Sequence, residues 1–195
     1  MDSIIVEIEK YAEKENVPIM NKRGINFLCK LIEKNNIKSI LEIGSAIGYS
    51  SIKMALCNED IKITTIERDE TRYLEAVKNI KKCNLEKRIN IILGDALETN
   101  IKGSYDLIFI DAAKGQNIKF FNKYKDNLKK DGMIITDNMS FHGLVEETER
   151  IKNKNLRQLV GKIRKYITFL KENKDYSTKF YKTGDGIAVT VKRED

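Results

Sequence analysis

The chain has one proline, one histidine, no tryptophan and only three cysteines. Each shortage excludes something. Cys29, Cys57 and Cys83 are odd in number, far apart and never in a Cys-x-x-Cys pair. Neither disulfides nor a structural zinc site is expected, and the thiols read as small buried side chains on helices. With one histidine and no clustered thiols, zinc is also a poor fit as a catalytic metal. No stretch approaches the run of about 20 apolar residues that crosses a bilayer. The first ten residues, Met1 to Lys10, are acidic and mixed, unlike a secretion signal, so a cytoplasmic protein without a membrane role is expected. There is no linker, repeat or low-complexity stretch, and 195 residues suit one packed domain, 1–195.

What is plentiful is positive charge. Lys and Arg outnumber Asp and Glu 36 to 29, a net +7. That balance suits a polyanionic partner, nucleic acid first, although solvated lysines need no partner. Apolar spacing predicts helices near 3–15 and 21–36, the first stopped at Asn16-Val17-Pro18. Strands and helices then alternate: strands at 39–43, 62–67, 89–93, 105–111 and 133–137, and helices at 50–56, 69–83 (capped by Asp69) and 119–128. A long amphipathic helix is expected near 151–173. Its apolar face carries Leu156, Leu159, Val160, Ile163, Ile167 and Leu170, and its other face Arg157, Lys162, Arg164 and Lys165. Strands near 176–182 and 186–192 follow, joined by the Gly184-Asp185-Gly186 turn. Apolar strands alternating with amphipathic helices indicate an α/β fold, a mostly parallel seven-stranded sheet covered on both faces. Its end is an antiparallel hairpin.

In such sheets ligands bind beyond the carboxyl ends of the strands. There the chain places Glu42 and Gly44, Glu67, Gly94-Asp95-Ala96, Asp111, and Asp137-Asn138. A lone loop carboxylate is commonly a helix cap; five acidic strand ends on one edge are hard to explain structurally. Leu41-Glu42-Ile43-Gly44-Ser45-Ala46-Ile47-Gly48 is a strand running into two glycines spaced Gly-x-x-x-Gly, which is not the dinucleotide fingerprint. Glu67, about 20 residues on, can accept hydrogen bonds from ribose hydroxyls. The amides of Gly48, Tyr49 and Ser50 and the Ser50 hydroxyl can hold a carboxylate, and Gly94-Asp95-Ala96 can meet an adenine. Asp111, Asp137 and Asn138 offer oxygen donors suited to a hard cation such as Mg²⁺. Lys114, three residues past Asp111, can reach the same cavity and serve as a general base. The plain alternatives are a polar turn at Asp137-Asn138 and one more surface lysine at 114.

Together, Leu41–Ser50, Thr65-Ile66-Glu67-Arg68, Gly94-Asp95-Ala96-Leu97, Asp111-Ala112-Ala113-Lys114 and Asp137-Asn138 resemble the metal-dependent O-methyltransferases of the catechol and caffeoyl-CoA type, from about residue 15 to the end. The resemblance implies a Rossmann-like class I methyltransferase fold with S-adenosylmethionine as cofactor. Met20, Ser50, Glu67, Ala96 and Asp111 would lie around it, with Glu42, Gly44, Arg68 and Asp95 from the same motifs. It also implies Asp111, Asp137 and Asn138 as ligands of Mg²⁺ (or Mn²⁺), Lys114 as the base, and a homodimer. Within the family, Val17-Pro18-Ile19-Met20, Ala113-Lys114-Gly115-Gln116, Gly143-Leu144-Val145, Leu156-Arg157-Gln158-Leu159-Val160 and Gly184-Asp185-Gly186-Ile187-Ala188 resemble the bacterial branch that methylates 5-hydroxyuridine at the wobble position of the tRNA anticodon. The implied partner is tRNA, with Arg157, Lys162, Arg164 and Lys165 as candidate phosphate contacts. Competing expectations are O-methylation of small catechol-like molecules, with Phe141 and Tyr181 as the only candidate aromatic wall, a non-catalytic RNA-binding protein, and a nicotinamide oxidoreductase, which the glycine spacing disfavours. The segment before Pro18 is shorter than the family suggests. The loop Met139-Ser140-Phe141-His142 is a candidate for shaping substrate choice.

Overall fold

A computed structural model describes residues 1–141, 143–145 and 151–194; His142, in the loop singled out above, lies outside them. The helices are α1 (Asp2–Lys14), α2 (Lys22–Lys34), α3 (Tyr49–Ala55), α4 (Glu70–Lys82), α5 (Asn117–Tyr124) and α6 (Lys154–Glu172). The strands are β1 (Ser39–Ile43), β2 (Lys62–Glu67), β3 (Ile89–Leu93), β4 (Tyr105–Ile110), β5 (Leu128–Thr136), β6 (Tyr176–Tyr181) and β7 (Ile187–Lys192). They form one seven-stranded sheet in the order β3-β2-β1-β4-β5-β7-β6. β1 to β5 run parallel, and β7 pairs antiparallel with both β5 and β6. No helix among the described residues is long and apolar enough to cross a membrane.

The sheet separates two cores because side chains alternate along a strand. On β4, Leu107 and Phe109 face the core built with α1 to α4, while Ile108 and Ile110 face the core built with α5 and α6. β1 is buried on both faces, with Ile40, Leu41 and Ile43 at 0% exposure. That accounts for its unbroken apolar character. Side-chain caps set three helix starts: Asn21 accepts from the Gly24 amide, Asp69 from Arg72, and Asn153 from Leu156.

Several boundaries differ from the sequence reading. β5 begins at Leu128 rather than 133, because its first residues, Lys129 to Asp131, are polar and exposed and carry no apolar signal. β4 stops at Ile110, leaving Asp111 just beyond the ladder. α6 starts at Lys154 behind its Asn153 cap. Its buried stripe also includes Tyr166, whose hydroxyl hydrogen-bonds Thr136 Oγ1 at 2.9 Å, while Ile167 is only half-buried.

Candidate active site

Four strand ends are stitched to a common level. One residue past each strand, a backbone amide donates to the neighbouring strand: Gly44 to Ile66 O, Gly94 to Glu67 O, Asp111 to Ile43 O and Asp137 to Ile110 O. Gly44 makes this junction close-packed. Its φ is +94°, and a Cβ there would come within 2.8 Å of the Asp111 carbonyl oxygen. Only glycine meets both demands.

Above this floor opens a cavity of about 570 Å³. Of the expected cofactor residues, Met20, Gly44, Glu67, Arg68, Asp95, Ala96 and Asp111 line it, and so do Lys114, Asp137 and Asn138. Two expected residues do not. Glu42 is fully buried beneath the glycine turn and accepts hydrogen bonds from the Ser50 and Ser51 hydroxyls. The Ser50 hydroxyl therefore points down at Glu42 rather than into the cavity. Burial pushes the Glu42 carboxyl up to about 7 despite those bonds. Glu67 serves the turn as well as the cavity. Its two oxygens accept from the Ala46 amide at 2.8 Å and the Asp69 amide at 2.9 Å. A carboxylate has acceptor capacity beyond those two bonds, so a ribose can still be met. Asp95 Oδ1 accepts from Leu97 N at 2.7 Å, fixing the turn that presents Ala96.

Just past β4, Lys114 Nζ forms an ion pair with Asp111 Oδ1. Asn138 Nδ2 donates to Asp111 Oδ1 at 3.3 Å and to Asp137 Oδ2 at 3.2 Å. Asn138 adopts φ +65°, a left-handed conformation that asparagine tolerates better than most residues. Asp137 is 2% exposed, and its Oδ1 has no hydrogen-bond partner. Burial first, then the charge of Asp111, pushes its carboxyl up to about 7, against the pull of Lys114. Two carboxylates, one with an orphaned buried oxygen, beside a side-chain amide that would turn its carbonyl rather than its nitrogen toward them form a donor set that fits a hard divalent cation. Among the described residues no three of His, Cys, Asp and Glu gather around a common point. Such a cation would therefore rest on two carboxylates and one amide.

The sequence reading missed Asn21, Arg72, Gln116, Phe120 and Asp185, which also line the cavity. Asp185 was legible as an acidic residue between two glycines, but it reads as turn chemistry. Only the fold carries it beside Asp137, whose ionisation it opposes. Of the two candidate aromatics, Phe141 lines the cavity, while Tyr181 packs on Phe27 at 4.8 Å between ring centroids. The four basic residues of α6 divide. Arg157 Nη2 donates to the Ile151 carbonyl at 2.6 Å. Lys162 lays its stem against Gly115, in the turn that carries Lys114. Arg164 lines a second cavity of about 420 Å³ with Lys171, Phe180 and Lys182. Lys165 is exposed on the outer face.

The sequence pattern of the O-methyltransferase family matches residues 2–193. The flavonoid 3',5'-methyltransferase of Vitis vinifera is 28% identical, over 94% of this chain and 81% of its own. The caffeoyl-CoA O-methyltransferase of Populus kitakamiensis is 28% identical, over 89% and 77%. Among solved structures, a Staphylococcus aureus protein provisionally named a caffeoyl-CoA O-methyltransferase superimposes with a TM-score of 0.93 at 42% identity, covering 97% of this chain and 92% of that one. An O-methyltransferase from Bacillus cereus, solved in complex with SAH, gives 0.83 at 26% identity, covering 99% and 92%. The chain belongs to the O-methyltransferase family, and its sheet is the Rossmann-like sheet of the class I methyltransferases.

Proposed function

We propose that this O-methyltransferase uses S-adenosylmethionine and a divalent cation, Mg²⁺ or Mn²⁺, to methylate the 5-hydroxyl of 5-hydroxyuridine at the tRNA wobble position, giving 5-methoxyuridine. The observation that carries the chemistry is the meeting of Asp111, Lys114, Asp137 and Asn138 in the same cavity that Gly44, Glu67 and Ala96 line. The Bacillus cereus relative binds SAH, the product left when S-adenosylmethionine has given up its methyl group. That supports the cofactor.

When bound, S-adenosylmethionine supplies an electrophilic methyl group, and a cation on Asp111, Asp137 and Asn138 supplies positive charge to two adjacent substrate oxygens. The chain does the rest. Gly44 lets the nucleoside portion approach the strand ends, Glu67 accepts from the ribose, and Ala96 and Arg68 border the base. Lys114 Nζ, after releasing its own proton to solvent, takes the proton from the substrate hydroxyl, and the ammonium so formed pairs with the adjacent Asp111 carboxylate. Ile43 and Ile66 give the cavity an apolar floor. A catechol offers two neighbouring oxygens, and 5-hydroxyuracil offers the same pair as O5 and O4. The RNA reading rests on three further features: the net charge of +7, the basic outer face of α6 reaching the Lys114 turn through Lys162, and the motif resemblance. An anticodon loop base can leave its stack and enter a pocket.

The deciding experiment is transfer from labelled S-adenosylmethionine, with Mg²⁺ or with EDTA, to three acceptors: tRNA bearing 5-hydroxyuridine, the same tRNA without it, and a catechol. EDTA-sensitive label only on the hydroxylated tRNA, recovered as 5-methoxyuridine, is the expected result. Label on catechol alone would refute the tRNA reading and assign the chain to catechol-like acceptors, in line with its Vitis and Populus relatives, named for a flavonoid and for caffeoyl-CoA.

A further inference from the structure

The fold joins two cysteines that the sequence keeps 28 residues apart. Cys29 lies on α2 and Cys57 just past the end of α3, on helices packed against each other. Both sulfurs address one acceptor, the Lys53 carbonyl oxygen, from 3.8 Å for Cys29 and 3.3 Å for Cys57. The two thiols thus converge on one carbonyl oxygen. Both are half-buried. The pair is asymmetric. The neighbouring Cys57 thiol holds the Cys29 thiol below its ordinary range against the effect of burial, with the Lys53 ammonium adding to the lowering, while Cys57 is pushed up by its neighbour and by burial. Glu33 opposes the shift in Cys29. Cys83, by contrast, is buried, and burial pushes its thiol up.

We propose that Cys29 and Cys57 are a site of oxidative modification, a dithiol that hydroperoxides convert to an intramolecular disulfide. The inference is independent of the methyl acceptor. A thiolate is the nucleophile in such chemistry, and here it is Cys29. Its sulfur attacks the peroxide O–O bond and becomes a sulfenic acid, and the departing oxygen leaves as water or alcohol. The Cys57 sulfur then attacks the Cys29 sulfur, water departs, and the S–S bond closes. In total two thiols lose two electrons and two protons to one peroxide, giving a disulfide, one water and one water or alcohol. The bond would tie α2, whose leading end at Asn21 lines the active-site cavity, to α3, whose first turn carries the Ser50 and Ser51 that hold Glu42.

The test exposes the native protein to hydrogen peroxide, counts free thiols after denaturation with a maleimide, and maps peptides. The expected result is a fall from three free thiols to one, a Cys29–Cys57 link within one molecule, and recovery of all three on reduction. Cys83→Ser should still form the link. Cys57→Ser should form none and leave Cys29 as a sulfenic acid, trapped by dimedone. Lys53→Gln, which keeps the backbone carbonyl and removes the charge, should slow alkylation of Cys29 near neutral pH several-fold. Three thiols surviving, Cys83 oxidising first, or links only between molecules would overturn the proposal.

Discussion

A carboxyl group with no exposure under the cofactor turn should reveal itself in the pH dependence of folding. Glu42 is surrounded by protein, and burial raises it from the usual 4.5 to about 7 in the folded state. The unfolded chain, in water, titrates at the ordinary value. Between those two pH values the folded protein keeps a proton that the unfolded chain has lost. Stability therefore falls as pH rises, by about 1.4 kcal/mol for each pH step and about 3 kcal/mol over the window. The sign follows from the raised value: the contribution is fully present below pH 4.5 and lost once pH passes about 7. Glu42→Gln preserves the shape and stays neutral throughout. The Ser50 and Ser51 hydroxyls can rotate to serve the amide, since a hydroxyl both donates and accepts. Urea unfolding of both proteins at pH 5, 6, 7 and 8 isolates the effect, because every other group, including the similarly raised Asp137, is shared and cancels in the difference. The variant should match the parent near pH 5 and exceed it by about 2–3 kcal/mol at pH 8. A difference that does not change with pH would refute the reasoning and show Glu42 ionised in the folded protein.

Asp137→Ala should abolish turnover while S-adenosylmethionine binding, followed calorimetrically, changes little; loss of both together would place this carboxylate in the cofactor site. Titration of Mn²⁺ followed by its electron paramagnetic resonance signal should show the ion bound by the parent and released in the same variant. Lys114→Ala should lower kcat by about 10²-fold or more near neutral pH, the usual worth of a positioned base, with partial recovery at higher pH as the acceptor hydroxyl ionises unaided; an unchanged pH profile would remove Lys114 from proton transfer. Gly44→Ala forces a Cβ to 2.8 Å from the Asp111 carbonyl at φ +94°. It should cost roughly 2 kcal/mol or more in thermal or urea unfolding, whereas Gly103→Ala, also at positive φ but with open space around it, should cost less.

The sheet was legible because its strands obey one rule over their full lengths. β1, β2 and β3 match their sequence bounds to the residue, being apolar, short and bracketed by turns or caps. The rule failed where burial changes within an element: the exposed start of β5 has no apolar pattern, although its backbone is extended. The cavity lining was legible because in a parallel sheet every strand end faces the same edge, so position along the chain gives position in space. Side-chain direction was not. Glu42 and Ser50 lie where a cofactor contact is expected, but two serines on the first turn of α3 meet a carboxyl coming off β1, and they satisfy one another below the surface. Asp185 and the Cys29–Cys57 pair were invisible for a related reason. Each depends on a crossing between elements far apart in sequence, which no local spacing encodes.

The division of labour in the site follows from what holds each part. The carboxylates proposed for chemistry, Asp111 and Asp137, stand on strand ends clamped by buried side chains and by backbone bonds to neighbouring strands. Their geometry is set by the core. The cavity wall that carries Phe141 is different. It comes from the segment after β5, which reaches the hairpin turn through backbone bonds from Met139 N to the Gly186 carbonyl at 2.9 Å and from Ser140 N to the Asp185 carbonyl at 2.8 Å. Gly186 is indispensable to that docking, because a Cβ there would lie 2.6 Å from Ser140 N. Phe141, at φ +44°, is then turned into the cavity. The sequence of this loop can therefore change what is admitted without disturbing the carboxylates beneath it. On this argument Phe141→Ala is expected to change which acceptors are methylated while leaving S-adenosylmethionine binding intact, and equal loss of both would show that the loop also holds the cofactor.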